Sequence, residues 1–132
     1  MQPRSQIIAS KVYDQIKARE DTPDSQYNAL VKELPSMILQ NGLVQATGFL
    51  WSKYEKEPHF KKVLDDLRRS FQSINEPSAE AFHNKLVESK LYDSIRYTRE
   101  ALEIAGWMRR YVQGILDPKE KEKSNQSQEA SA

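Results

Sequence analysis

With 132 residues the chain has the length of one domain, enough to bury about two-thirds of its unfolded surface. Its 20 basic and 19 acidic residues leave a net charge of +1, which excludes a simple polyanion sponge but allows a local basic face. There is no cysteine, so disulfides, thiolate catalysis and cysteine zinc sites are excluded and an intracellular protein is expected. The two histidines, His59 and His83, fall on different predicted helices and read as surface residues rather than ligands. The N-terminal stretch lacks the apolar core of a signal peptide, and no apolar run approaches the ~20 residues that cross a membrane. A soluble, cytoplasmic protein is expected, with no membrane partner.

No period-two run bounded by turn residues occurs, so the expectation is an all-α fold: a compact bundle of five or six helices with a long C-terminal helix. The first helix covers about residues 5–20, with Ile8, Ala9, Val12, Tyr13 and Ile16 on one face. Thr22 is a candidate cap and Pro23 a candidate first residue for the second helix, with Asp24 suited to the positive end of its dipole, and Tyr27, Leu30, Val31 and Leu34 recur at helical spacing. Pro35 breaks, kinks or restarts it, and Gly42 after Asn41 ends the segment with a left-handed residue. A helix over 43–55 packs Leu43, Ala46, Thr47, Leu50 and Tyr54, while Val44, Phe49 and Trp51 project elsewhere, either into tight internal packing or toward another subunit. Pro58 opens a helix over 59–74 whose apolar face is Phe60, Val63, Leu64, Leu67, Phe71 and Ile74. Its mixed charges, Lys61, Lys62, Asp65, Asp66, Arg68 and Arg69, read as a solvated face. Ser78 caps a short helix over 79–88, and the last helix runs over 89–116. Residues 1–116 are read as a single helical domain. Residues 117–132 hold no aromatic or large aliphatic side chain and are read as a disordered polar tail.

On a helical wheel the last helix carries a broad apolar arc: Tyr97, Ala101, Ile104, Ala105, Met108, Tyr111, Val112, Ile115 and Leu116. Leu91, Ile95 and Leu102 lie at its edge. Opposite runs a stripe of Arg96, Arg99, Glu103, Gly106, Arg110 and Gln113, with Trp107 at its margin. One reading is a strip for phosphates, whose oxygens suit the two-pronged guanidinium group. Gly106 costs about 1 kcal/mol in a helix interior and suggests a close approach to the backbone, and Trp107 could stack on a base or anchor in a partner. The other reading is structural: Arg96 pairs with Glu100, Arg99 with Glu103, and Gly106 admits a neighbouring helix.

No phosphate-cradling glycine loop, paired metal-ligand motif or Ser/His/Asp constellation occurs. No catalytic residue, metal ligand or cofactor is nominated. A small helical enzyme binding anionic substrates through arginines would need those arginines to converge in a cleft.

Two segments carry a resemblance. LPSMILQNGLVQATGFL at 34–50 has Leu34-Pro35, Asn41-Gly42-Leu43 and Phe49-Leu50; later come Arg96, Thr98-Arg99-Glu100-Ala101-Leu102, Trp107 and Arg109-Arg110. In both segments, and in their order, the chain resembles the small all-helical subunit of the type III-B CRISPR (Cmr) RNA-guided effector complex. Gly48 stands where that pattern carries a larger apolar residue. The resemblance implies a non-catalytic structural subunit that stacks as a minor filament and helps hold the guide RNA–target RNA duplex in antiviral defence, other subunits cutting RNA. Its implied partners are the backbone and large subunits of the complex, copies of itself, guide RNA and target RNA. On this reading Arg96, Arg99, Arg110 and Lys53 are expected to contact RNA, and Phe49, Trp51 and Trp107 to contact protein. The alternative is a helical adaptor that binds another protein without touching RNA.

Overall fold

The computed structural model describes residues 3–117 and, among them, six α-helices and no strand. These are α1 (Arg4–Lys17), α2 (Ser25–Asn41), α3 (Leu43–Ser52), α4 (Pro58–Ser70), α5 (Ala79–Glu88) and α6 (Leu91–Tyr111), the last continuing as a π turn, Val112–Leu116. The expected tail lies outside the described residues except for Asp117, whose carboxylate holds Lys32 of α2 at 2.8 Å.

Local chemistry sets the boundaries. Asp24, not Thr22, caps α2: its extended backbone lets Oδ1 accept from the N–H groups of Gln26 and Tyr27 at 3.0 and 3.2 Å. Pro23 therefore precedes the helix. Pro35 lies inside α2 without ending it, between Leu34 and Ile38, both in the core. Gly42 has φ +86°, a region that strains any side chain. Its N–H donates to Ile38 and its carbonyl accepts from Ala46, so one residue closes α2 and opens α3. Pro58 occupies the first turn of α4, as its missing N–H allows. That helix stops at Ser70 because Phe71 turns extended, yet Phe71 and Ile74 remain buried from the following loop. The Ser78 hydroxyl caps α5 by accepting from Ala81 N–H at 3.1 Å.

α6 is the centre of the bundle, flanked by α1 and α2. Arg4 at the start of α1 meets Glu100 in the middle of α6, and Tyr13 further along α1 meets Tyr111 at the end of α6, so α1 runs parallel to the second half of α6. The N-terminal part of α2 lies beside Ile115 and Leu116, and α2 runs back along α6 in the opposite sense. Six residues of the expected apolar arc, Tyr97, Ala101, Ile104, Ala105, Met108 and Val112, are buried; Leu91 and Ile95 are exposed. α3 packs against α2, α4 and α5. There Thr47 Oγ1 lies 2.8 Å from His83 Nδ1, and a Cβ on Gly48 would stand 3.4 Å from His83 Cε1. The imidazole thus fills the space that a larger residue at position 48 would take. Burial pushes the His83 pKa below its ordinary value.

The mixed-charge side of α4 is not uniformly solvated. Asp65 and Asp66 are buried. Asp66 accepts two guanidinium bonds from Arg19 at 2.7 and 2.8 Å and the Tyr27 hydroxyl at 2.6 Å, while Asp65 accepts the Tyr54 hydroxyl at 2.9 Å. Burial, reinforced by the Asp66 charge, drives the Tyr27 hydroxyl pKa far up. Burial works against the Arg19 charge, but the bonds and field of Asp66 outweigh it and raise the guanidinium pKa. Adjacent carboxylates on one helix therefore fasten two different neighbours, the α1 end with α2 and the turn after α3.

Candidate nucleic-acid interface

Where α1 and α6 run side by side, Arg4, Arg96, Arg99, Glu100 and Glu103 line a groove of about 270 Å³. Glu100 forms its floor and is 0% exposed. One Glu100 oxygen takes Arg4 and the Ser73 hydroxyl at 2.5 and 2.6 Å; the other takes the N–H groups of Gln72 and Ser73 at 3.1 and 3.2 Å. A buried carboxylate so supplied with donors stays satisfied without water. The expected Arg96–Glu100 pair is consequently absent. Glu100 faces the α4–α5 loop, and Arg96 reaches Asp93 instead, at 3.3 Å across an exposed surface. Such a surface pair contributes little and is readily exchanged for another anion.

Arg99 is exposed and has no ion pair among the described residues, so the expected Arg99–Glu103 pair is absent too. Arg110 lies on the same stripe eleven residues on, about 16 Å along the axis. Its guanidinium sits 4.9 Å over the Trp107 ring, and Trp107 stacks on Tyr111 at 5.5 Å. The half-buried indole already has aromatic and cationic neighbours within the chain. Gly106 admits no helix: a Cβ placed there meets nothing within 4 Å.

Lys53, Phe49 and Trp51 lie elsewhere. Lys53 Nζ is 3.6 Å from Glu57 and 5.5 Å above both the Phe49 and Phe60 rings, on the α3–α4 side and outside the groove. Phe49 is 43% exposed and meets Phe60 edge-on, while Trp51 is half-buried against Tyr54. The fold thus brings Arg96 and Arg99 together, extends the stripe to Arg110 and adds Arg4. Nothing in the spacing around Arg4 signals that role, because its partner lies at the far end of the chain. Among the described residues no group of three His, Asp or Glu side chains is arranged to hold a metal ion, and no helix is long and apolar enough to cross a membrane.

Residues 4–115 match the family model for the CRISPR-associated protein Cas_Cmr5. The chain is 32% identical over 120 residues to the CRISPR system Cmr subunit Cmr5 of Thermus thermophilus, covering 89% of this chain and 99% of that one. A crystal structure of a CRISPR-associated Cmr5 family protein from the same organism superposes with a TM-score of 0.78 at 26% identity, over 88% of this chain and 99% of its own. Matched over nearly all of its described length in sequence and fold, the chain belongs to the CRISPR-associated Cmr5 family.

Proposed function

We propose that this chain is a non-catalytic, cytoplasmic subunit of a type III-B Cmr RNA-guided effector complex. It stacks with copies of itself beside the backbone and large subunits and steadies the guide RNA–target RNA duplex. The observation that carries the RNA contact is the α1–α6 groove, where Arg4, Arg96 and Arg99 converge and Arg110 continues the line. Contacts of this kind are to phosphates and independent of sequence, leaving sequence to base pairing. The buried carboxylates support a structural role, since Asp65, Asp66 and Glu100 are each committed to tyrosine, arginine or backbone donors.

Stacking is supported by the two ends of α6. At its start Leu91 and Tyr92 are 78% and 75% exposed, beside the exposed Val87 and Ile95. At its far end Pro23, Tyr27, Ile115 and Leu116 line a pocket of about 220 Å³ whose rim also carries Arg19, Glu20, Asp24 and Lys62. A protruding apolar end and a recess of mixed character suit heterologous, end-to-end association, and Phe49, Trp51 and Trp107 remain candidates for contacts with other subunits.

The test replaces Arg96, Arg99 and Arg110 together with alanine and measures RNA affinity of the assembled complex against salt. Binding weakens, and the log–log salt slope flattens by about 0.7 to 0.9 for each phosphate no longer neutralised. Unchanged affinity at every salt concentration would refute the RNA assignment and leave the protein-only adaptor.

A further inference from the structure

A second groove lies further along the same face of α1, between that helix and the segment after α4. It encloses about 610 Å³. Lys11 and Arg69 stand on its walls, both exposed and neither in an ion pair among the described residues. Gln72, whose amide nitrogen donates to the Ser70 carbonyl at 3.3 Å, and Asn75 add amide groups; Asp14 and Glu76 are its carboxylates. In the sequence Arg69 reads as part of a solvated face, and nothing there marks Lys11.

The two grooves are joined by Glu100. It lines the first, and it accepts the N–H of Gln72, which lines the second. α1 supplies the other link. Arg4 and Lys11 are seven residues apart, so they lie about 10 Å apart along the axis and within about 20° on one face. Arg99, Arg96, Arg4, Lys11 and Arg69 thereby follow one another from α6, over α1, to the end of α4; Arg4 and Arg96 are held by Glu100 and Asp93, while Arg99, Lys11 and Arg69 have no ion pair among the described residues.

We propose that this second groove is a further RNA site, holding a ribose–phosphate segment that leaves the α6 stripe. Lys11 and Arg69 neutralise phosphates, while Gln72 and Asn75 meet ribose hydroxyls or unpaired base edges. The inference rests on the RNA reading of the α6 stripe. RNA is favoured over an acidic peptide by continuity with that stripe and by the amides, which an acidic peptide does not need.

The experiment assembles the effector complex with target RNA carrying 4-thiouridine, cross-links it with light and maps cross-linked peptides of this subunit. Cross-links are expected in α6 and in residues 71–76. In the Lys11→Glu/Arg69→Glu variant, those in residues 71–76 fall several-fold while those in α6 persist. Thermal unfolding of the variant, expected to be unchanged for two exposed positions, verifies the fold. Cross-links in α6 with none in 71–76 overturn this inference and leave the α6 reading standing. Cross-links in neither overturn both. Cross-links in 71–76 that the charge reversal leaves unchanged overturn the assignment to Lys11 and Arg69.

Discussion

Replacing Asp66 with alanine tests whether the carboxylates of α4 fasten the bundle. The substitution removes both guanidinium bonds from Arg19 and the bond from the Tyr27 hydroxyl. The two orphaned groups fare differently. The Arg19 side chain is 20% exposed and can turn partly into water, whereas Tyr27 is 1% exposed and its hydroxyl stays dry. Leaving that hydroxyl unpaired costs about 1–3 kcal/mol. Breaking a buried charge pair costs about 3–5 kcal/mol in all, and the partial escape of Arg19 places the expected loss near the lower limit, about 3 kcal/mol. For a domain of this size that corresponds to a fall in Tm of roughly 10 °C. Urea unfolding of wild type, Asp66→Ala, Tyr27→Phe and the double variant forms a cycle. Tyr27→Phe is expected to lose about 1 kcal/mol in wild type and less in the Asp66→Ala background, where the hydroxyl has already lost its acceptor. A loss below about 1 kcal/mol for Asp66→Ala, or strict additivity in the cycle, refutes the claim that these bonds are made in a desolvated interior.

Gly106→Ala adds a methyl to open space and removes a helix-interior glycine, so it is expected to stabilise the free protein by up to about 1 kcal/mol; a lower Tm contradicts the geometry. Glu100→Ala releases Arg4 and the N–H groups of Gln72 and Ser73, with an expected loss of about 2–3 kcal/mol and faster hydrogen exchange at those two amides. Unchanged exchange there would show that the loop is held by something else. The lowered His83 pKa means that the unfolded chain binds more protons at that site. Its contribution to stability is therefore complete above about pH 6.5 and is lost as pH falls through the lower folded value. His83→Gln should flatten that acid limb of the stability curve, and an identical limb in both proteins contradicts the assignment.

Periodicity made the all-helical fold legible, since the buried faces of α2, α4 and α6 recur at three- and four-residue spacing. Single-residue signals at Ser78, Pro58 and Gly42 located helix ends because their chemistry is local. Asp24 caps α2 in place of Thr22 because the helix begins at Ser25 rather than at Pro23, a shift of two residues that only backbone geometry fixes. The candidate site was half legible. Arg96, Arg99 and Arg110 share one helix, so a wheel finds them, but Arg4 reaches their groove only through a contact that spans the chain. The same limit hid the roles of Asp65, Asp66 and Glu100. Charged residues read as surface unless partners are known, and theirs, Tyr54, Tyr27, Arg19 and the 72–73 backbone, come from other elements.

The parallel pairing of α1 with α6 means that α1 finds a principal neighbour only after α6 has been made. α2 waits for the same partner along its length. Until then both present apolar faces to water, and a chain stopped before α6 has Ile8, Val12 and Ile16 without the surface that covers them. Closure therefore joins residues about 100 positions apart, as Arg4 with Glu100 and Tyr13 with Tyr111, and such non-local contacts form more slowly than the local ones within helices. Truncated or stalled products are expected to be sticky rather than partly functional. Only a subunit made through α6 acquires the α1–α6 groove, so the groove appears when that helix does.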